Sequence, residues 1–279
     1  MADGTGLSGF AKTFPDRFFD VGIAEGHGVS MAAGMAAQGL LPVFAVYSTF
    51  LQRSYDMLIH DVALEKLHVI LGVDRAGLVG ADGETHHGCF DPLFLPALPG
   101  YTVLCPASFA ELRQMLRTAL FELDGPVAVR YPRGGEGAYQ DNVSDKPLVR
   151  LRAGKDVTLL TYGILVNQAL AAAALLEGRG IQAEVLKLNR IAPLDGEALA
   201  GFFEETDILL VLEDCFGAGC VGQRVAAILT GEGRAPKRLI LRNLGRSFAP
   251  EGSVPQLEER FGLDAAAVAG AAEEACHER

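Results

Sequence analysis

The chain has no tryptophan, and its 279 residues carry 24 Lys and Arg against 35 Asp and Glu, a formal net charge of −11. That deficit of positive charge argues against nucleic acid as a general partner, because a phosphate backbone needs a basic surface. It still allows a small anionic substrate, which needs only a local pair of arginines. Five cysteines are present, Cys89, Cys105, Cys215, Cys220 and Cys276, with no CxxC or zinc-ribbon spacing. Buried or incidental thiols in a reducing compartment are therefore expected, not a disulfide framework or a metal site. No apolar run reaches membrane-spanning length, and no basic segment followed by an apolar one opens the chain. The expectation is a cytoplasmic protein with no membrane partner.

What is present is core material. Hydrophobic residues make up 49% of the chain, enough for two ordinary domains. From residue 20 to 131, short β-branched runs (DVGI, PVFAVYS, HVILGVD, TVLCP, VAVRY) alternate with helical patterns over 26–38, 49–65 and 109–123. In the second of these, Leu51, Tyr55, Leu58, Ile59, Val62 and Leu64 fall near one face, and Ser108 is placed to cap the third. Residues 134–152 are Gly-rich, charged and without period, as a linker would be. A second series follows: strands TLLTYG, AEVLKL, ILLVLED and KRLILRNL, with helices over 167–178, 195–204, 219–230, 254–261 and 264–276. The pattern predicts an α/β protein of two domains, each a mostly parallel sheet with helices on both faces. The boundaries read as 1–134, a linker at 135–152, and 153–279. The front departs from this scheme, because loop and helix patterns precede residue 20 where a first buried strand is expected.

In open parallel sheets, ligands sit at the carboxyl ends of the strands. There the chain places Glu25 before a helix, then Tyr47, Phe50 and Arg53, then Arg75, Asp82, His86 and His87, and finally Arg133. Each also has a plainer reading. Glu25 could serve only the dipole of the helix it begins. His86 and His87 could be solvated turn residues, Arg53 a surface ion-pair partner and Phe50 part of the core. The Glu213–Asp214 pair at a later strand end reads as a turn and as domain packing. Neither Gly-rich stretch, DGTGL or LGVDRAGLVGADG, has the placement of a dinucleotide fingerprint or a Walker lysine.

Four runs, FFDVGIAEGHGVSMAAGMA, PVFAVYSTFLQRSYDMLIHDVAL, VDRAGLVGADGETHHGCFD and GPVAVRYPRG, occur in order at close spacing. Together with LEDCFGAGCVGQ they resemble the 1-deoxy-D-xylulose-5-phosphate synthase family of transketolase-like enzymes, specifically its pyrimidine-binding and C-terminal domains. The resemblance implies thiamine diphosphate as cofactor, pyruvate and D-glyceraldehyde 3-phosphate as substrates, and a sugar phosphate used for isoprenoid, thiamine and pyridoxal synthesis. It implies Glu25 as proton partner of the cofactor pyrimidine, Phe50 stacked on that ring, and Arg53 beside the cofactor. It implies His86 at the reacting carbonyl, Tyr47 and Asp82 lining the substrate cavity, and Arg53, Arg75 and Arg133 engaging carboxylate or phosphate. The family's N-terminal domain, with the GDG…N segment that holds Mg2+ and the diphosphate, has no counterpart here. The resemblance therefore implies an N-terminal domain or subunit as partner, and a homodimer. Two departures stand at Gly26, where the family has Gln, and at Gly28.

Overall fold

The computed structural model describes residues 3–203 and 206–278. After a turn at the front come α1 (Ser8–Thr13), α2 (Glu25–Ala37), β1 (Val43–Tyr47) and the short helical turns α3 (Ser48–Leu51) and α4 (Tyr55–Met57). A π-helical turn at Leu58–Ala63 leads to β2 (Ile70–Asp74), α5 (Asp91–Phe94), β3 (Thr102–Leu104), α6 (Phe109–Phe121) and β4 (Val127–Arg130). The second half runs β5 (Leu148–Arg152), β6 (Val157–Tyr162), α7 (Val166–Glu177), β7 (Ala183–Leu188), β8 (Arg190–Ala192), α8 (Gly196–Phe202), β9 (Ile208–Leu212), α9 (Val221–Gly231), β10 (Arg238–Arg242), α10 (Val254–Phe261) and α11 (Ala265–His277). Residue 204, the end of the helix expected over 195–204, lies outside the described residues.

These elements build two five-stranded sheets, ordered β1-β2-β4-β3-β8 and β10-β9-β6-β7-β5. Each is parallel except for one antiparallel edge, β8 on β3 and β5 on β7. The fully buried strands explain the near-continuous apolar runs: β2, β6, β7 and β9 are buried at every residue. Strand β8 comes from the second half of the chain yet completes the first sheet, which ties the halves through backbone hydrogen bonds.

Two sequence expectations are corrected. Residues 20–23 form no strand. The Asp20 carboxylate accepts from the Gly22 N–H at 2.9 Å, Gly22 turns at φ +68°, and Ile23 is 77% exposed. A local side-chain turn has replaced ladder pairing there. The helix expected over 49–65 is instead α3, a 3-10 turn, α4 and the π turn, the last three of which pack against α2. Inside the aperiodic stretch, residues 148–152 form the edge strand β5. Ser108 caps α6 as expected, accepting from the Glu111 N–H at 3.1 Å.

Candidate functional site

The carboxyl ends of β1, β2 and β4 lie side by side. Tyr47 pairs with Asp74 in the β1–β2 register, and Val73 with Arg130 in β2–β4. The segments that leave these ends carry most of the expected site. The loop after β2 is closed at its neck by reciprocal Gly77–Gly88 backbone bonds of 2.7 and 2.8 Å, so Asp82 and His86 ride on one closed loop. Gly77 is at φ +78°, and a Cβ there would lie 1.8 Å from Asp214 Oδ2, so no other residue fits the neck.

The expected residues gather in two groups. In the first, Glu25 begins α2 with its side chain buried, and Arg53 Nη1 donates to Glu25 Oε1 at 3.0 Å. The Arg53 guanidinium lies 4.7 Å from the Phe50 ring centre, and the His86 ring meets Phe50 edge-on at 5.2 Å. His86 Nδ1 is 3.0 Å from Thr85 Oγ1, and Thr49 Oγ1 donates to the Thr85 carbonyl at 3.2 Å, which pins the histidine loop to α3. Of the unusual glycines of this segment, Gly28 has a firm steric cause and Gly26 only a flexible neighbour. A Cβ on Gly28 would lie 2.5 Å from the Phe44 ring, and one on Gly26 would meet the mobile end of Met57 at 2.9 Å.

In the second group, Arg75 stacks over the Tyr47 ring at 3.8 Å and donates to Asp74 at 2.8 Å, to the Gly4 carbonyl at 2.9 Å and to Asp82 at 3.4 Å. Arg133 reaches the same Asp82 at 2.9 Å. Burial pushes the Asp74 carboxyl up from its ordinary value while Arg75 pulls it back. Burial also raises the Tyr47 hydroxyl, with Arg75 opposing, so Tyr47 stays a neutral donor. Tyr47 and Phe50 stack at 5.8 Å and join the groups. A cavity of about 470 Å³ opens beside Arg75 and Arg133, walled by Gly4, Asp74, Phe109 and Tyr131. His87 stands apart from the site. It accepts from the Val79 N–H at 3.2 Å and reaches the Pro250 carbonyl at 3.1 Å, a bond between the halves of the chain.

Sequence reasoning missed the network beneath the site. Ser48, between Tyr47 and Thr49, donates to Asp91 at 2.7 Å. Asp91 accepts from Arg130 at 2.7 Å, and Arg130 reaches Asp214 at 3.4 Å. The signal was there in VAVRY, a charge at the end of an otherwise apolar strand. Asp214 indeed serves domain packing, while Glu213 accepts the Val221 and Gly222 N–H groups at the start of α9, both at 2.9 Å. Among the described residues no three His, Cys, Asp or Glu side chains gather as a metal site, all five cysteines are free, and no helix is long and apolar enough to cross a membrane.

Comparison with known proteins matches this arrangement. Residues 1–135 fit the transketolase pyrimidine-binding domain and residues 147–268 the transketolase C-terminal domain. The solved structure of a split-gene transketolase, described as an inactive beta4 tetramer, superposes with a TM-score of 0.88 at 30% identity, covering 99% of this chain and 90% of that one. The chain belongs to the transketolase family. Within it, the chain is homologous to the C-terminal part of 1-deoxy-D-xylulose-5-phosphate synthases. It is 46% identical over 278 residues to synthase 1 of Geobacter sulfurreducens, covering 98% of this chain and 44% of that protein. It is 46% identical over 281 residues to the synthase of Heliobacterium modesticaldum (98% and 43%) and 45% identical over 279 residues to that of Chlorobium luteolum (96% and 43%). The chain thus spans less than half the length of these curated relatives.

Proposed function

We propose that this chain is the C-terminal part of a thiamine-diphosphate-dependent transferase. The whole enzyme would condense pyruvate with D-glyceraldehyde 3-phosphate to 1-deoxy-D-xylulose 5-phosphate and CO2. The observation that carries the reading is Glu25, a buried carboxylate at the first turn of α2, with Arg53, Phe50 and His86 grouped beside it. These residues fit the pyrimidine end of the cofactor: a carboxyl for a ring nitrogen and an aromatic face for the ring. The described residues do not fit its diphosphate–metal end, so Mg2+ and the diphosphate are assigned to the length of the relatives that this chain does not span.

Thiamine diphosphate, when bound, would supply the carbanion chemistry needed at the keto carbon of pyruvate. Glu25 would hold a proton against the pyrimidine nitrogen, with Arg53 fixing its Oε1. Phe50 would set the ring plane. His86, oriented by Thr85, would hold or return a proton at the reacting carbonyl oxygen. Arg75 and Arg133 would take the phosphate of the aldehyde substrate, with Tyr47 and Asp82 as polar walls. Partners would be an N-terminal domain or subunit and a second copy of the enzyme, in a cytoplasmic setting.

The test mixes this chain with the N-terminal half of a relative and assays pyruvate-dependent formation of the sugar phosphate. Activity supports the reading, and no turnover from a folded, associated mixture contradicts it. A second reading has one specific support. The split-gene transketolase structure is nearly co-extensive with this chain, as expected if the chain is a separate beta-type subunit acting on other donors or acceptors. Turnover of a different keto donor in the same mixture would favour it.

A further inference from the structure

Asp82 bridges the two arginines assigned above to an anion. Its Oδ1 forms an ion pair with Arg133 Nη1 at 2.9 Å, and its Oδ2 accepts from Arg75 Nε at 3.4 Å. Asp74 is the second carboxylate on Arg75, so this group of two arginines and two aspartates is electrically neutral. An entering anion gains a positive cradle only when one carboxylate leaves. Asp74 is buried at the end of β2, fixed in the ladder opposite Tyr47. Asp82 sits, partly exposed, on the loop after β2, at a turn between Gly80 at φ +67° and Gly83 at φ +81°. The two arginines differ as well. Arg75 is held by the Tyr47 ring and the Gly4 carbonyl, and its own backbone is left-handed at φ +60°, a strained state for a non-glycine residue. Arg133 is 43% exposed along its side chain and, among the described residues, has only a 3.4 Å bond to the Val79 carbonyl besides Asp82. Of the four groups, Asp82 is the one built to yield.

We propose that Asp82 is a specificity determinant: a tethered carboxylate that competes with incoming anions for Arg75 and Arg133 and so sets an affinity threshold that phosphoryl dianions clear and carboxylates do not. The inference rests on the reading that these arginines hold a substrate anion. A free monocarboxylate offers the guanidinium groups the same charge and the same two oxygens as Asp82. It also bears the association entropy that a tethered group avoids. A phosphoryl dianion brings nearly twice the charge and a third oxygen, so it gains where a carboxylate only breaks even. The device would keep the ketoacid carboxylate out of the position meant for the phosphorylated aldehyde.

The test is calorimetric titration of this chain with inorganic phosphate and with acetate, at constant ionic strength and mildly alkaline pH. Wild type, Asp82→Asn, Asp82→Ser and Arg133→Ala are compared, with circular dichroism confirming the fold of each. Wild type should bind phosphate in preference to acetate. Asp82→Asn should tighten both by a similar factor, about five-fold, the scale of one partly exposed ion pair, and so bring acetate into measurable binding. Asp82→Ser should do the same. Unchanged affinity for both anions, or weaker phosphate binding in both Asp82 variants, overturns the inference and leaves the anion site standing. Phosphate binding that is absent, or indifferent to Arg133→Ala, overturns both.

Discussion

Arg75 and Arg133, at the open ends of the first sheet, and Arg130 and Lys187, inside the joint between the domains, all face carboxylates, but under opposite solvation. Lys187 and its partner Glu111 are fully buried, at 2.9 Å. Glu111 also accepts from the Tyr139 hydroxyl and the Ala107 N–H, both at 2.8 Å, and Lys187 donates to Asn189 as well. Burial pulls the Lys187 ammonium down from its ordinary value while Glu111 opposes that. Arg130 is likewise buried between Asp91 and Asp214, and lies over the Tyr162 ring at 5.3 Å. At the open end, Asp82 is shared by two arginines. A buried ion keeps every partner because losing one strands a charge in a low dielectric. A partly exposed ion can exchange its partner for a ligand at little cost. The same residue types therefore hold the domains together in one region and, on the proposed reading, wait for an anion in the other.

The sharpest way to break this comparison is Lys187→Met. It leaves Glu111 buried without its cation and should lower unfolding free energy by about 3–5 kcal/mol. Urea denaturation reads this, and the double variant Lys187→Met/Glu111→Leu should regain only part of the loss, because the Ala107 N–H and the Tyr139 hydroxyl lose their acceptor. Asp214→Ala comes next, because Arg130 keeps Asp91; a loss of about 2 kcal/mol in the same assay is expected. A smaller, pH-dependent effect belongs to Glu258. Gln168 Nε2 donates to it at 2.8 Å, and burial pushes its carboxyl up from 4.5 to about 7. Between these values the folded chain holds a proton that the unfolded chain releases. Its contribution to stability is therefore full below about pH 4.5 and falls as pH rises through about 7. Melting curves across that range should show the decline, and Glu258→Gln should remove it. Arg133→Ala should change stability least, within about 1 kcal/mol, as for an exposed ion pair. A large loss there would erase the contrast between the regions.

Much of this was readable from residues alone. The buried strands announced themselves as unbroken apolar runs, and Ser108 marked the start of α6. Gly77 and Gly28 were visible as glycines, but Asp214 and the Phe44 ring that demand them come from distant segments. The strand expected at residues 20–23 failed because β-branched residues report burial only when a neighbouring strand exists to pair with. The transfer of β8 to the first sheet was illegible, since three residues after β7 carry no pattern that names their partner. Phe50 was found by its place after a strand and Glu25 by its place at the start of α2, and their proximity through Arg53 and His86 needed coordinates. Lys187 inside an apolar strand and Arg130 at the end of another were visible as anomalies of type, though not as the joint between domains.

The account stands most directly on Glu25. The decisive measurement is the sugar-phosphate assay on Glu25→Gln mixed with the N-terminal half of a relative, read beside its melting curve. The account predicts activity lower by about 10²–10⁴-fold, the range for a positioned proton-transfer group. It also predicts a melting curve close to that of the wild-type chain. Activity within two-fold of wild type, roughly 0.4 kcal/mol in barrier, would contradict it.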